Sequence, residues 1–507
     1  MRRLAAIVGL MLLAGVAGTA APDIPSDRLL AHIRFLSSDD LRGRANGSAE
    51  LDVAASYIAA QFENVGLRPG WQGSWSQPFE LIAGLSVGAG NRLTIQGGDT
   101  SVDLTLGTSY YPLAAAAAES LGAPSAVLER LPLVFAGFGL SAPGQQYDDY
   151  RDVDVRGKAV LIFSHEPQER DRRSRLNGSR PMAQTTLEAK AAAALSRGAR
   201  ALLVVSDPSH RVDEADYGLF ALQPDAEDVG IPVLRLRRDE MRPLLEAWDL
   251  EALAREIDRD LVPRSRPLPD ATVTYVQHLA FDRRTVRNVV GVLPGSDPAL
   301  SAEAVVIGAH YDHVGIGGHL SAVPDRTGEI HNGADDNASG TAAVIEIARA
   351  AVQNRARFPR SLVFVTFAGE ERGLLGSDFY ARNPSIPLER TLAMLNLDMV
   401  GRARGAVDVS GLELAPSLEA DLEAARRAAG GLNIRRQGPG AGRSDDSSFI
   451  NRRIPAINFF TGFHSDYHSP SDDWDKVDLE GTGRVAALAF ELAAQIASRQ
   501  TRPEFAR

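Results

Sequence analysis

An α/β protein is predicted from this 507-residue chain: a mixed, mainly parallel sheet flanked by helices, with a second, β-rich α/β unit inserted into it. Three observations predict it. Short β-branched or aromatic runs, Val305 to Ile307, Leu362 to Phe367 and Leu392 to Leu397, lead to glycines and reactive side chains and read as buried strands. Helical periodicity stands between and after them, as in TAAVIEIARAAV and RVAALAFELAAQIA. Between about Pro124 and Pro267 a run of strand, strand, helix, strand and strand carries no metal-ligand spacing, which marks a separate unit.

Taken in order, residues 1–21 hold two arginines, an apolar stretch from Leu4 to Ala17 and small residues around Ala20 and Ala21. That is the pattern of a secretory signal peptide, too short and wrongly flanked for a membrane span. The chain has no cysteine, hence neither a lipoprotein attachment site nor a disulfide framework, and a periplasmic or secreted location is expected. Residues 22–123 form the first part of the main domain. Two helical stretches between Asp27 and Leu67 flank the loop LRGR, and Ala54, Ile58, Phe62 and Val65 mark one buried helical face. The alternating segments LTIQGG and SVDLTLG then read as hairpins. Residues 124–267 are the insert. Residues 268–507 complete the main domain, ending in an amphipathic helix that packs on the sheet.

Composition narrows the function. Lys and Arg number 54 against 65 Asp and Glu, a net charge of −11, which argues against nucleic-acid binding. No later segment has an apolar run of transmembrane length, so no stable membrane insertion is expected after signal cleavage.

Six residues at or just past the apolar runs carry the chemistry: His310, Asp335, Glu370, Glu371, Asp398 and His468. Open α/β sheets place their ligand sites at the carboxyl ends of buried parallel strands, so groups far apart in sequence converge there. Charge arithmetic favours two metals. Four positive charges on two Zn²⁺ are met by Asp335, Glu371, Asp398 and a bridging hydroxide, while His310 and His468 add neutral nitrogen donors. Such a pair polarises a carbonyl and acidifies water. One carboxylate must stay off the metals to take the proton; Glu370 is assigned as general base and Glu371 as ligand.

These segments, AVVIGAHYDHVG, HNGADDNASG, LVFVTFAGEERGLLGS, LAMLNLDMVG and HSDYHSPSD, resemble those of the co-catalytic two-zinc aminopeptidases of peptidase family M28, the leucyl aminopeptidase and aminopeptidase Y type. The resemblance implies a zinc exopeptidase fold, two Zn²⁺ per chain and a peptide substrate. It implies that His310 and Asp398 serve one zinc, Glu371 and His468 the other, and that Asp335 bridges both. It also implies a cis peptide between Asp335 and Asp336, and an Asp312 that orients His310 from behind, as ligating imidazoles require. The insert resembles a protease-associated domain, whose protein partner, if any, the sequence does not name.

Each residue has a bland reading too. GEE after a strand is ordinarily a solvated turn, and DDNASG is a helix start with Ser339 or Asn337 as cap. The ordered combination of five segments defeats those readings. His313, His319, His331 and His464 are expected to support the site or sit in loops, not to ligate. Phe459, Phe460, Phe463 and Tyr467 read equally as a pocket wall and as strand core. Where many relatives have Ser-Asp-His, this chain has Ser444, Asp445 and Asp446, which leaves side-chain specificity open. A carboxypeptidase or dipeptidase uses the same metals; a glutaminyl cyclase and a non-catalytic binding protein of the same fold are the more distant rivals.

Overall fold

Strands buried on both faces need apolar residues at nearly every position, and three segments supply them without interruption: Ala304–His310, Ser361–Phe367 and Thr391–Leu397 are buried at every residue. The computed structural model describes residues 22–112, 125–176, 178, 182–208, 230–318, 320–323, 326, 328–438 and 444–506. The expected signal peptide and His319 lie outside them. No helix among the described residues is long and apolar enough to cross a membrane.

The chain divides into two compact units, residues 1–79 with 285–507, and residues 80–284. The second unit is therefore wider than the expected 124–267: it also takes in the hairpin Arg92–Gly97 with Thr100–Leu104 and most of the 28-residue strand Arg266–Leu293. The reason lies in pairing. Residues 271–276 of that long strand bond to Arg92–Gly97, which ties both flanks of the insert to one sheet.

In the first unit the strands run in the order Asn433–Arg436, Ala406–Ser410, Ala456–Phe460, Thr391–Leu397, Ala304–His310, Ser361–Phe367 and residues 285–293. The four central strands are mutually parallel, and antiparallel neighbours close the set on each side. The helix Gly340–Gln353 buries an almost unbroken apolar surface, and Leu479–Ala497 does the same after Asp478 caps its first turn by accepting from the Gly481 N–H. All four central strands deliver their carboxyl ends to one edge, where His310, Asp398 and the loop after Phe367 emerge.

The second unit has its own core. A parallel set, Ala159–Phe163, Ala201–Val205 and Val233–Leu236, is buried almost throughout, with Leu187–Leu195 packed on one face and Arg238–Ala247 and Leu250–Asp260 on the other. Asp149 fixes its GFG turn: one carboxylate oxygen accepts from the Phe138 and Leu140 N–H groups at 3.0 Å, the other from the Tyr147 hydroxyl at 2.8 Å.

Candidate metal centre

Two groups of side chains converge at that strand edge: His310, Asp336 and Asp398, and His313, Asp336, Glu371 and His468. Asp336 belongs to both. Its Oδ1 lies 3.3 Å from His310 Nε2 and its Oδ2 lies 3.2 Å from His468 Nε2, one oxygen toward each group. Asp398 Oδ1 is 3.3 Å from His310 Nε2, and Glu371 Oε2 is 3.1 Å from His468 Nε2. Two donors on a tetrahedral zinc with bonds near 2.0 Å stand about 3.3 Å apart. His468 Nε2 is buried and, despite its two close oxygens, makes no hydrogen bond among the described residues. The ring nitrogen points between the carboxylates, as a donor to a shared cation does, and the donor set fits zinc.

The carboxylate common to both groups is thus that of Asp336, where Asp335 was expected. Asp335 faces the other way: its Oδ1 accepts from the Gly401 N–H at 2.6 Å and from the Ser339 hydroxyl at 3.1 Å, and its Oδ2 lies 3.0 Å from His464 Nε2. The cis peptide is Asp336-Asn337, one residue later than expected. Within the segment, Asp336 and Asn337 leave helical geometry, so successive carboxylates turn to opposite sides. The cap is Asn337, whose Oδ1 accepts from the Gly340 N–H at 2.9 Å; Ser339 instead donates to the Asp335 carbonyl.

The surrounding shell is built from backbone restraints. Asp472 Oδ2 accepts from the N–H groups of Asp335 and Asp336 at 2.9 and 3.0 Å, and its Oδ1 takes a 2.9 Å bond from Arg402. Arg44, the last residue of LRGR, is completely buried and donates to the carbonyls of Tyr311 at 2.8 Å, Asn332 at 2.7 Å, Gly333 at 3.0 Å and Leu36. It therefore joins the HYDH segment to the chain that precedes the aspartates. Burial pulls Arg44 down to about 10, still well above neutrality, so it keeps its charge. Gly333 has φ 57°, and a Cβ there would meet the Asp336 carbonyl oxygen at 2.1 Å and the His313 ring at 2.5 Å, so only glycine fits.

Asp312 meets His310, as expected, through its backbone carbonyl and not through its side chain. His310 Nδ1 lies 3.2 Å from the Asp312 backbone oxygen and 3.8 Å from its Oδ1. The carboxylate instead accepts from the N–H groups of Glu370 and Glu371, both at 3.2 Å, and from Asn46 at 2.6 Å. It is the anchor of the Glu-Glu loop, and the two glutamates diverge from it. Glu371 turns to His468, while Glu370 lines the cavity, with Oε2 3.9 Å from His310 Nε2. Burial raises the Glu370 carboxyl well above its ordinary value, with Glu371 and Asp398 adding to the effect. Burial also acts against Glu371, but His468 and His313 outweigh it and hold that carboxyl at about 2. Environments that push two neighbouring carboxyls apart divide their roles.

His313 enters the site although ligation was not expected of it. Its Nδ1 lies 2.7 Å from Glu371 Oε1 and 3.8 Å from Asp336 Oδ2. The first distance is that of a charge-assisted hydrogen bond and shorter than the edge between two zinc donors, so His313 reads as a donor to Glu371. The second histidine of HYDH was the available signal.

A small cavity opens onto both groups, walled by Met399, Asn458, Phe460, Phe463 and Tyr467. Phe463 is 67% exposed and makes edge contacts with Phe460 and Tyr467, whose ring stacks on His468 at 3.9 Å. Phe459, on the alternate face of its strand, is core. Asp445 and Asp446 stand at the start of the short helix Asp446–Ile450, raised by burial to about 7 and about 8.

Comparison with known proteins gives a consistent result. Residues 288–493 match the model of peptidase family M28. The leucine aminopeptidase 1 of Trichophyton equinum is 33% identical over 138 residues, 26% of this chain and 32% of that protein. Aminopeptidase YwaD of Bacillus subtilis (strain 168) is 25% identical over 384 residues, 72% of this chain and 69% of that protein. The chain thus spans about a third of the curated leucine aminopeptidases it matches and two thirds of YwaD. Among solved structures, the aminopeptidase from Aneurinibacillus sp. strain AM-1 aligns over 96% of this chain and 97% of that one, with a TM-score of 0.57 at 24% identity, and shows the shared fold.

Proposed function

We propose that the protein, whose residues 288–493 match the model of peptidase family M28, is a zinc-dependent exopeptidase of that family, an aminopeptidase that removes N-terminal residues from peptides. The relatives carrying that activity in their names support the substrate class. The observation that carries the reading is Asp336, with one oxygen toward His310 and the other toward His468. His310 and Asp398 would hold one ion and Glu371 and His468 the other, with Asp336 common to both sets. Zinc bound there supplies polarisation of the peptide carbonyl and acidification of the attacking water.

The chain's own residues do the rest. Glu370, in the wall and off both ligand sets, takes the proton from water and returns it to the departing amine. Asp312 fixes the loop from which Glu370 projects. Phe460, Phe463 and Tyr467 offer an apolar wall to the side chain of the N-terminal residue. The second unit is proposed to be a protease-associated domain, and residues 1–21 a signal peptide that sends the enzyme to the periplasm or beyond.

The test is Glu370→Gln on zinc-loaded enzyme, assayed with a leucyl peptide and its N-blocked form. Turnover of the free peptide alone by wild type, and its loss in the variant with zinc retained, is the expected result. Near-normal turnover by the variant sinks the base assignment; hydrolysis of the blocked peptide sinks the aminopeptidase.

A further inference from the structure

Most of the cavity wall has a task as ligand, base or apolar surface, and Asn458 has none. It sits on Ala456–Phe460, opposite Asn396 on the parallel strand Thr391–Leu397. Asn396 Nδ2 donates to Asn458 Oδ1 at 3.1 Å and to the Ser444 hydroxyl at 2.9 Å, so both of its hydrogens are used, while Asn396 Oδ1 is buried without a partner among the described residues. Turning both amides over would seal two unbonded hydrogens inside with the fully buried Asn396, whereas the observed arrangement leaves the unbonded hydrogens on Asn458, which lines the cavity. That difference favours the observed orientation.

The consequence falls on the other end of Asn458. Its Oδ1 is held inward by Asn396, so its Nδ2 is directed to the cavity that the side chain lines. The residue is only 1% exposed, yet its Nδ2 is not an enclosed, unpartnered atom, in keeping with an amide that reaches the cavity. A donor placed there gains a hydrogen bond when a ligand acceptor takes the place of water.

The chemistry of a peptide decides which group that is. Its α-ammonium and amide N–H groups are donors; its carbonyls are acceptors. Carboxylates and imidazoles dominate the wall around Asn458, and none offers a spare neutral amide donor. We propose that Asn458 Nδ2 donates to a backbone carbonyl oxygen of the bound peptide, making it a substrate-binding residue set in place by Asn396. This rests on the peptidase reading above.

Asn458→Leu removes the donor at similar volume, and Asn458→Asp keeps an oxygen for Asn396 but offers the substrate only an acceptor. With a leucyl tripeptide and zinc-loaded full-length enzyme, kcat/KM falls on the order of 10- to 100-fold in both, more in the aspartate variant. Zinc content stays at the wild-type level in both; Asn458→Leu, which takes the acceptor from Asn396 Nδ2, lowers the melting temperature, and Asn458→Asp, which keeps that acceptor, does not. Variants within twofold of wild type overturn the assignment, as does an aspartate variant that matches it. Should Asn458→Leu fold poorly, Asn458→Asp decides alone. Wild-type enzyme lacking zinc-dependent peptide hydrolysis overturns the peptidase reading and this assignment together.

Discussion

His313 Nδ1 stands 2.7 Å from Glu371 Oε1, while the other oxygen of the same carboxylate faces His468 Nε2 at 3.1 Å. The two imidazoles thus divide one carboxylate between them, one holding it and the other placed to share a cation with it. Outer-shell partners of this kind are worth about 10- to 100-fold in metal affinity. His313→Ala is expected to weaken one of two zinc ions by that factor and leave the other unchanged, as read by chelator titration. Unaltered affinity at both sites would show that Glu371 is held without His313.

Arg44 supports a second prediction because its four carbonyl acceptors come from three separate segments. Arg44→Met strands those buried oxygens, and each unsatisfied group costs about 1–3 kcal/mol. Urea unfolding should show a loss of at least about 3 kcal/mol. Arg44→Lys keeps the charge but lacks the fork that reaches several acceptors at once, so it should recover little. Full recovery by lysine would mean that charge, not geometry, is what Arg44 supplies.

In the second unit a pH dependence follows from Asp149. Three donors favour its ionised form, but burial outweighs them and raises the carboxyl to about 7. The unfolded value is near 3.9. Between about pH 4 and pH 7 the folded state therefore keeps a proton that the unfolded state has released, and stability falls as pH rises through that window. The slope from one such group is at most about 1.4 kcal/mol per pH unit. Subtracting the profile of Asp149→Asn from that of wild type should isolate it. A difference that is flat, or that rises with pH, contradicts the assignment.

The strands were legible because parallel strands buried on both faces must be continuously apolar, and Leu362 to Phe367 or Leu392 to Leu397 resemble little else. Their ends then located His310, Asp398 and the Glu-Glu loop. Arg44 was not legible as a clamp, since its partners lie up to 289 residues away and are backbone oxygens that leave no mark in sequence. Asn458 was hidden for a similar reason: its meaning depends on Asn396 across a strand pairing. The width of the inserted unit escaped because a strand of 28 residues belongs partly to each unit.

The adjacent aspartates were the sharpest ambiguity, and they give the most discriminating test. Nothing in ADDNASG says which carboxylate turns inward, because the backbone leaves helical geometry at Asp336 and Asn337 and no periodicity carries across. Asp336→Asn removes the negative charge and replaces one of the two carboxylate oxygens with an amide nitrogen that cannot bind a cation. It should reduce zinc retention by more than the roughly 100-fold limit of outer-shell changes, at both sites together. Asp335→Asn keeps an oxygen for the Gly401 and Ser339 donors and presents an N–H to His464, so zinc content should stay near wild type while stability declines. Zinc measured in the two purified variants decides it: loss from Asp335→Asn with retention by Asp336→Asn would return the bridge to the first aspartate.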